Sequence, residues 1–127
     1  PPLLIAMFEQ INDMVPVFSM DKLTAEGHAL RESLADLLGE TGVLLLPTMP
    51  RPSPRHHGFM LRPWDTGGCG IFNVTELPAT TVPVGLSEGG LPLGVQVVGA
   101  HRNDLLTLRV AGWIEDELGG WIRADPA

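Results

Sequence analysis

The sequence predicts a layered architecture of helices on a sheet, α/β or α+β, and three observations lead there. Apolar runs of strand length, Val43 to Pro47, Ala79 to Leu86 and Leu93 to Gly99, alternate with helix-like periodic segments punctuated by glycine and proline. Their order along the chain is helix, helix, strand, loop, hairpin, helix. The first apolar run shows no polar alternation, the pattern of a strand covered on both faces, as in parallel or mixed sheets.

Taken in order, Leu3 to Met14 is short and mostly apolar and is expected to be helical, ending at Pro16. Thr24 is the expected N-cap of a second helix. In it Leu30, Leu34, Leu37 and Leu38 fall on one face, Glu26, Arg31, Glu32 and Asp36 lie largely off it, and Gly39 or Gly42 ends it. Helices therefore account for residues 3–39 and a strand for 43–47. Pro47, Pro50, Pro52, Pro54 and Pro63, then Gly67, Gly68 and Gly70, come in close succession. Proline has no amide hydrogen and a fixed φ, so a Pro/Gly-rich loop over 48–70 is expected, a functional or wrapping one at that length.

Two strands around the turn Ser87-Glu88-Gly89-Gly90 make an antiparallel hairpin over 79–99. Pro83 inside the first of them demands an edge position or a bulge. Asn103 or Asp104 begins a last helix over 103–118, with Leu106, Val110, Trp113 or Ile114, and Leu118 on its buried face. Gly119-Gly120 ends it. Three strands make a small sheet for a strand that reads as buried on both faces.

Composition excludes several function classes. Eight Lys plus Arg stand against 15 Asp plus Glu, a formal net charge of −7 over 127 residues. A nucleic-acid partner needs the opposite balance. Lys22 is the only lysine, so no polybasic membrane patch exists, and no window approaches the roughly 20 apolar residues of a membrane span. The single cysteine, Cys69, excludes an intrachain disulfide and fits a reducing compartment, so a cytoplasmic location is expected.

No catalytic constellation stands out. Ser19, Ser33, Ser53 and Ser87 lie in no Gly-x-Ser-x-Gly turn and beside no Ser/Gly-rich stretch; Ser33 reads as an exposed mid-helix spacer. Cys69 among Gly67, Gly68 and Gly70, with His56 and His57 nearby in sequence, offers a Cys/His acyl-transfer pair in principle. A small, half-buried residue in a flexible turn is the simpler reading. His56 and His57 lack the further ligands of a metal site, so no metal and no cofactor are expected. Asp65 is the one acid beside the glycines, and capping a turn is its simplest role.

Residues 71–99 carry a longer pattern. Phe72-Asn73-Val74-Thr75-Glu76-Leu77-Pro78-Ala79, continuing through Pro83-Val84-Gly85, and then Gly90-Leu91-Pro92-Leu93-Gly94-Val95-Gln96, resembles the C-terminal region of the amidase signature family. Glu76 stands where that pattern generally has glycine. The resemblance extends over about residues 24–123, through the strand ending Pro47-Thr48 and the start of the last helix at Asp104-Leu105-Leu106. The run Gly42 to Pro47, the loop with His56-His57 and the segment from Leu106 to Trp121 most resemble the fatty-acid amide hydrolase 2-like branch.

The resemblance implies an α/β fold: the C-terminal part of the amidase signature α/β/α architecture, a mixed sheet with flanking helices. Residues 1–127 would be a single C-terminal fragment of an amidase domain, as the opening Pro1-Pro2 without Met also suggests. The family's Ser–Ser–Lys residues would lie N-terminal of this region, leaving no catalytic residue in this chain and no activity on its own. The implied partners are the N-terminal catalytic part of the same enzyme and a small amide substrate. Asp65, Phe72 and Asn73 are the substrate-channel candidates, Asp65 because some relatives place a carboxylate just before the Phe-Asn position. Apolar surface left open by a missing part would favour a homodimer through exposed sheet or helix. A natural truncated, non-catalytic binding module is the alternative.

Overall fold

The computed structural model describes residues 20–54, 65 and 67–123. The expected helix from Leu3 to Met14, Ser19, and His56 and His57 lie outside them. The elements are α1 (Met20–Leu38), β1 (Val43–Pro47), α2 (Gly67–Val74), β2 (Ala79–Leu86), β3 (Pro92–Gly99) and α3 (Asp104–Leu118). They form the α/β arrangement expected, helices on both faces of a sheet.

The sheet runs β1-β3-β2, so the last strand in sequence lies in the middle. Both pairings are antiparallel, Val43 opposite Gly99 on one side and Ala79 opposite Val98 on the other. β1 and β2 therefore run parallel to each other without touching. Pro83 sits on an outer strand at a bulge, where the register shifts between Pro83 and Gly85. Gly85 takes a φ of 127°, a conformation open to glycine and closed to most side chains. The sequence demanded an edge or a bulge for this proline, and it has both.

Alternation along the strands divides the core in two. On one face Val98, Leu44 and Leu46 pack with Phe72 and Leu77 and with Leu34 of α1. On the other, Val97, Val82, Val95, Val84 and Val43 pack with Ala111, Val110 and Ile114 of α3. Val97 and Val98 are fully buried because the central strand is covered from both sides. The α1 and α2 helices meet at Gly27, where a Cβ would lie 2.9 Å from Val74 Cγ1.

Several expectations change. Helix α1 already runs from Met20, so Thr24 lies inside it instead of capping it, and Asp21 supplies the acidic charge favoured in the first turn. The predicted loop over 48–70 is shorter: Gly67–Val74 is helical, so Cys69 lies on a helix and not in a turn. Three of its first four residues are glycine, and tertiary contacts override their low helix propensity. On α3 the buried residues are Thr107 and Ala111, flanked by Val110 and Ile114, whereas Trp113 and Leu118 are exposed. Asn103 makes no side-chain cap; its Nδ2 donates instead to Glu40 O at 2.9 Å. Last, β1 is covered on one face and only in part on the other, where Val43 packs with the α3 cluster but Leu45 is 52% exposed.

Candidate functional site

Polar groups gather where β1 ends. The amide of Thr48 donates to Gly94 O at 3.0 Å, carrying the β1–β3 ladder one residue past the strand. The Thr48 carbonyl accepts from Cys69 Sγ at 3.0 Å. One residue earlier on α2, Gly68 O accepts from Gln96 Nε2 of the central strand at 3.1 Å. These two bonds hold the first turn of α2 against the sheet. Gln96 is buried, and a buried amide without this partner would cost about 1–3 kcal/mol.

Arg51 closes the arrangement. Its Nε lies 3.2 Å from Asp65 Oδ2, and Asp65 is only 7% exposed while the Arg51 side chain is about half exposed. Asp65 is thus an ion-pair partner held inside the protein. Beside it opens a mostly apolar pocket of about 350 Å³, lined among others by Thr48, Arg51, Thr81, Leu93 and Trp121. Thr48 Oγ1 is buried without a hydrogen-bond partner among the described residues, and a Cβ on Gly94 would stand 3.1 Å from it, a tight contact. A site of this kind, an apolar hollow with the Arg51 cation and the hydroxyl residues Ser53 and Thr81 along its lining, suits a largely apolar molecule with a polar end.

The three residues singled out from sequence have different settings. Asp65 reaches the pocket only through Arg51. Phe72 is a core residue between Leu77 and Val98. Asn73, the next residue on the same helix, is exposed. Sequence reasoning misses Arg51 and Thr48; the signal for Thr48 is its place directly after an apolar strand, and for Arg51 there is none. Among the remaining candidates, Ser33 Oγ donates to Ala29 O, and Ser87 Oγ accepts from Leu91 N in the hairpin turn. Among the described residues no group of three His, Cys, Asp or Glu side chains is placed to hold a metal ion. Among them, too, no helix is long and apolar enough to cross a membrane.

Glu76 stands at a position where glycine is usual, and its backbone shows why. It has a φ of 54°, the left-handed region that glycine enters freely. Its carboxylate pairs with Arg31 of α1, and its carbonyl bonds to His101 Nδ1 at 3.2 Å. A non-glycine residue is held there by partners on both sides of the turn.

The sequence pattern of the Amidase family matches residues 13–108. This chain belongs to the amidase family. Human fatty-acid amide hydrolase 2 is 45% identical over 101 residues, covering 80% of this amidase chain and 19% of that protein. Fatty-acid amide hydrolase 2-B of Danio rerio is 45% identical over 93 residues, covering 73% and 18% respectively. Among solved structures, that of an amidase superposes with a TM-score of 0.62 at 32% identity, over 75% of this chain and 24% of the other. The amidase chain spans about a fifth of the length of the curated relatives it matches. Its α/β layers and its hydrolase kinship rest on these likenesses together.

Proposed function

We propose that this chain is the C-terminal portion of a serine amidase, which hydrolyses carboxamides to an acid plus ammonia or an amine. In that reaction a serine attacks the amide carbonyl, the C–N bond breaks as the leaving amine takes a proton, and water then cleaves the acyl ester. The observation that carries the reading is the 45% identity to human fatty-acid amide hydrolase 2 spread over 80% of this chain. The same match covers 19% of that protein, which supports assigning the Ser–Ser–Lys residues to a part outside this chain.

On this reading the chain alone is inactive. Lys22 lies on α1, 3.8 Å from Glu26, in a surface pair four residues apart and not beside a Gly/Ser-rich stretch. The role of the chain is then structural: it closes one end of the fold and offers the pocket beside Thr48 and Arg51 to the apolar part of an amide. Asp65 steadies that wall through its ion pair with Arg51, and Phe72 supports the sheet from the core beside Leu77 and Val98. The free thiol of Cys69 supports a reducing, cytoplasmic setting. A fluorophosphonate probe, which labels activated serines, tests the assignment. No labelling is expected of this chain alone, and labelling at any of its serines would overturn the reading.

A further inference from the structure

The pocket beside Thr48 and Arg51 carries an aromatic side chain at its mouth. Helix α3 sets out beside Gly99, where Thr107 lies against the strand, and the chain that follows it reaches the other end of β3, since Trp121 lines the pocket together with Leu93. Gly119 and Gly120 connect the two, with φ of 83° and 69°, the left-handed region that glycine enters freely. Gly120 is buried, and a Cβ there would stand 3.1 Å from Glu115 Cγ, so this turn is seated closely on the end of α3. The turn fixes where Trp121 begins, while the residue itself stays 70% exposed. An indole poised over an apolar hollow and open to water gains apolar contact when a chain enters beneath it.

The charge in the pocket is equally specific. Arg51 is the only charged residue among the described residues of the lining. Its Nε lies 3.2 Å from Asp65 Oδ2, so the two opposite charges cancel at a distance. A guanidinium has further N–H donors on its two Nη atoms, and these can still hydrogen-bond an oxygen. A carboxylate brought to them would also meet the buried Asp65 carboxylate, whose repulsion water screens poorly. A neutral acceptor carries no such penalty.

We propose that Trp121 clamps a single apolar chain in this pocket, closing over it by a side-chain rotation, and that the Arg51–Asp65 pair makes the clamped site prefer a neutral oxygen acceptor on that chain to a carboxylate. A volume of about 350 Å³ lies at the small end of the roughly 300–1,000 Å³ typical of small-molecule sites, so the occupant is one chain of medium length. The meaning of the preference rests on the proposed function: in an amidase the neutral amide is substrate and the carboxylate is product, so the site holds one and releases the other. The binding itself needs no serine.

The test titrates the chain with octanamide and with octanoate at neutral pH, followed by tryptophan emission and calorimetry. Octanamide is expected to shift the emission to the blue and to bind roughly tenfold more tightly than octanoate. From hexanamide to octanamide the affinity should rise about fourfold per added methylene, the gain from burying one CH2. Trp113→Phe should keep the emission shift and Trp121→Phe should remove it. Trp121→Ala should weaken octanamide roughly tenfold with an unchanged far-UV circular dichroism spectrum; if that variant fails to fold, Trp121→Gln replaces it with the same expectation. Asp65→Asn leaves the Arg51 charge uncompensated and should tighten octanoate roughly tenfold.

A shift that survives Trp121→Phe, or parental affinity in the Trp121 variant, overturns the clamp. Octanoate binding as tightly as octanamide, or indifferent to Asp65→Asn, overturns the preference. No binding of either compound at millimolar concentration overturns both. Octanamide binding together with fluorophosphonate labelling of a serine in this chain sinks the functional reading and leaves the clamp standing, whereas absence of both does the reverse.

Discussion

Gln96 reaches from the central strand to the carbonyl of Gly68, 3.1 Å away, and so ties the start of α2 to the middle of the sheet. A helix beginning with glycines has little intrinsic stability. Gln96→Met keeps the side chain's length and removes the donor. It should cost about 1 kcal/mol by urea unfolding. Hydrogen exchange should show the loss concentrated in the amides of α2, with β3 little changed.

Glu76 is held at positive φ by an ion pair with Arg31 and a bond from its own backbone to His101. Removing the side chain to alanine loses the pair and keeps the unfavourable backbone conformation. Removing it to glycine loses the pair and relieves the conformation. Glu76→Gly should therefore be more stable than Glu76→Ala by about 1 kcal/mol. Thermal or urea unfolding of the two variants checks the order, and the reverse order would show that the turn is not strained.

Two glycines should respond oppositely to alanine. Gly112 lies within α3 with no described atom within 4 Å of an added Cβ, so Gly112→Ala should stabilise the chain by about 0.5–1 kcal/mol. At Gly99 a Cβ would stand 2.9 Å from Thr107 Cγ2, where Thr107 bonds Thr80 at 2.8 Å. Gly99→Ala should push α3 from the sheet and destabilise by about 1–3 kcal/mol. The pair is read from denaturation midpoints at unchanged slope.

The Arg51–Asp65 pair joins a half-exposed cation to a buried carboxylate. Deleting Asp65 leaves a guanidinium that water can solvate, whereas deleting Arg51 leaves a carboxylate that water hardly reaches. Arg51→Met should thus destabilise more than Asp65→Asn at neutral pH, by a margin of about 1–2 kcal/mol after allowing for Arg51's exposure. Equal losses in urea unfolding would mean that Asp65 finds other donors.

By itself the sequence determined what depends on neighbours along the chain. Apolar runs bounded by glycine and proline marked the three strands, Pro83 announced an edge and a bulge, and Gly119 ended α3 in the left-handed conformation. A run of fixed spacings from Phe72 to Gln96 was enough to place the chain in its family. Tertiary structure alone decided what depends on distant residues. Helix α2 forms at glycines because Gln96 and Thr48, 28 and 21 positions away from their partners, hold it. Asp65 became an ion-pair partner because folding brings Arg51 to it, and Trp113 stayed outside because α3 turns Ala111 inward against Val97. Local sequence states which conformations are permitted; contacts between distant residues select among them.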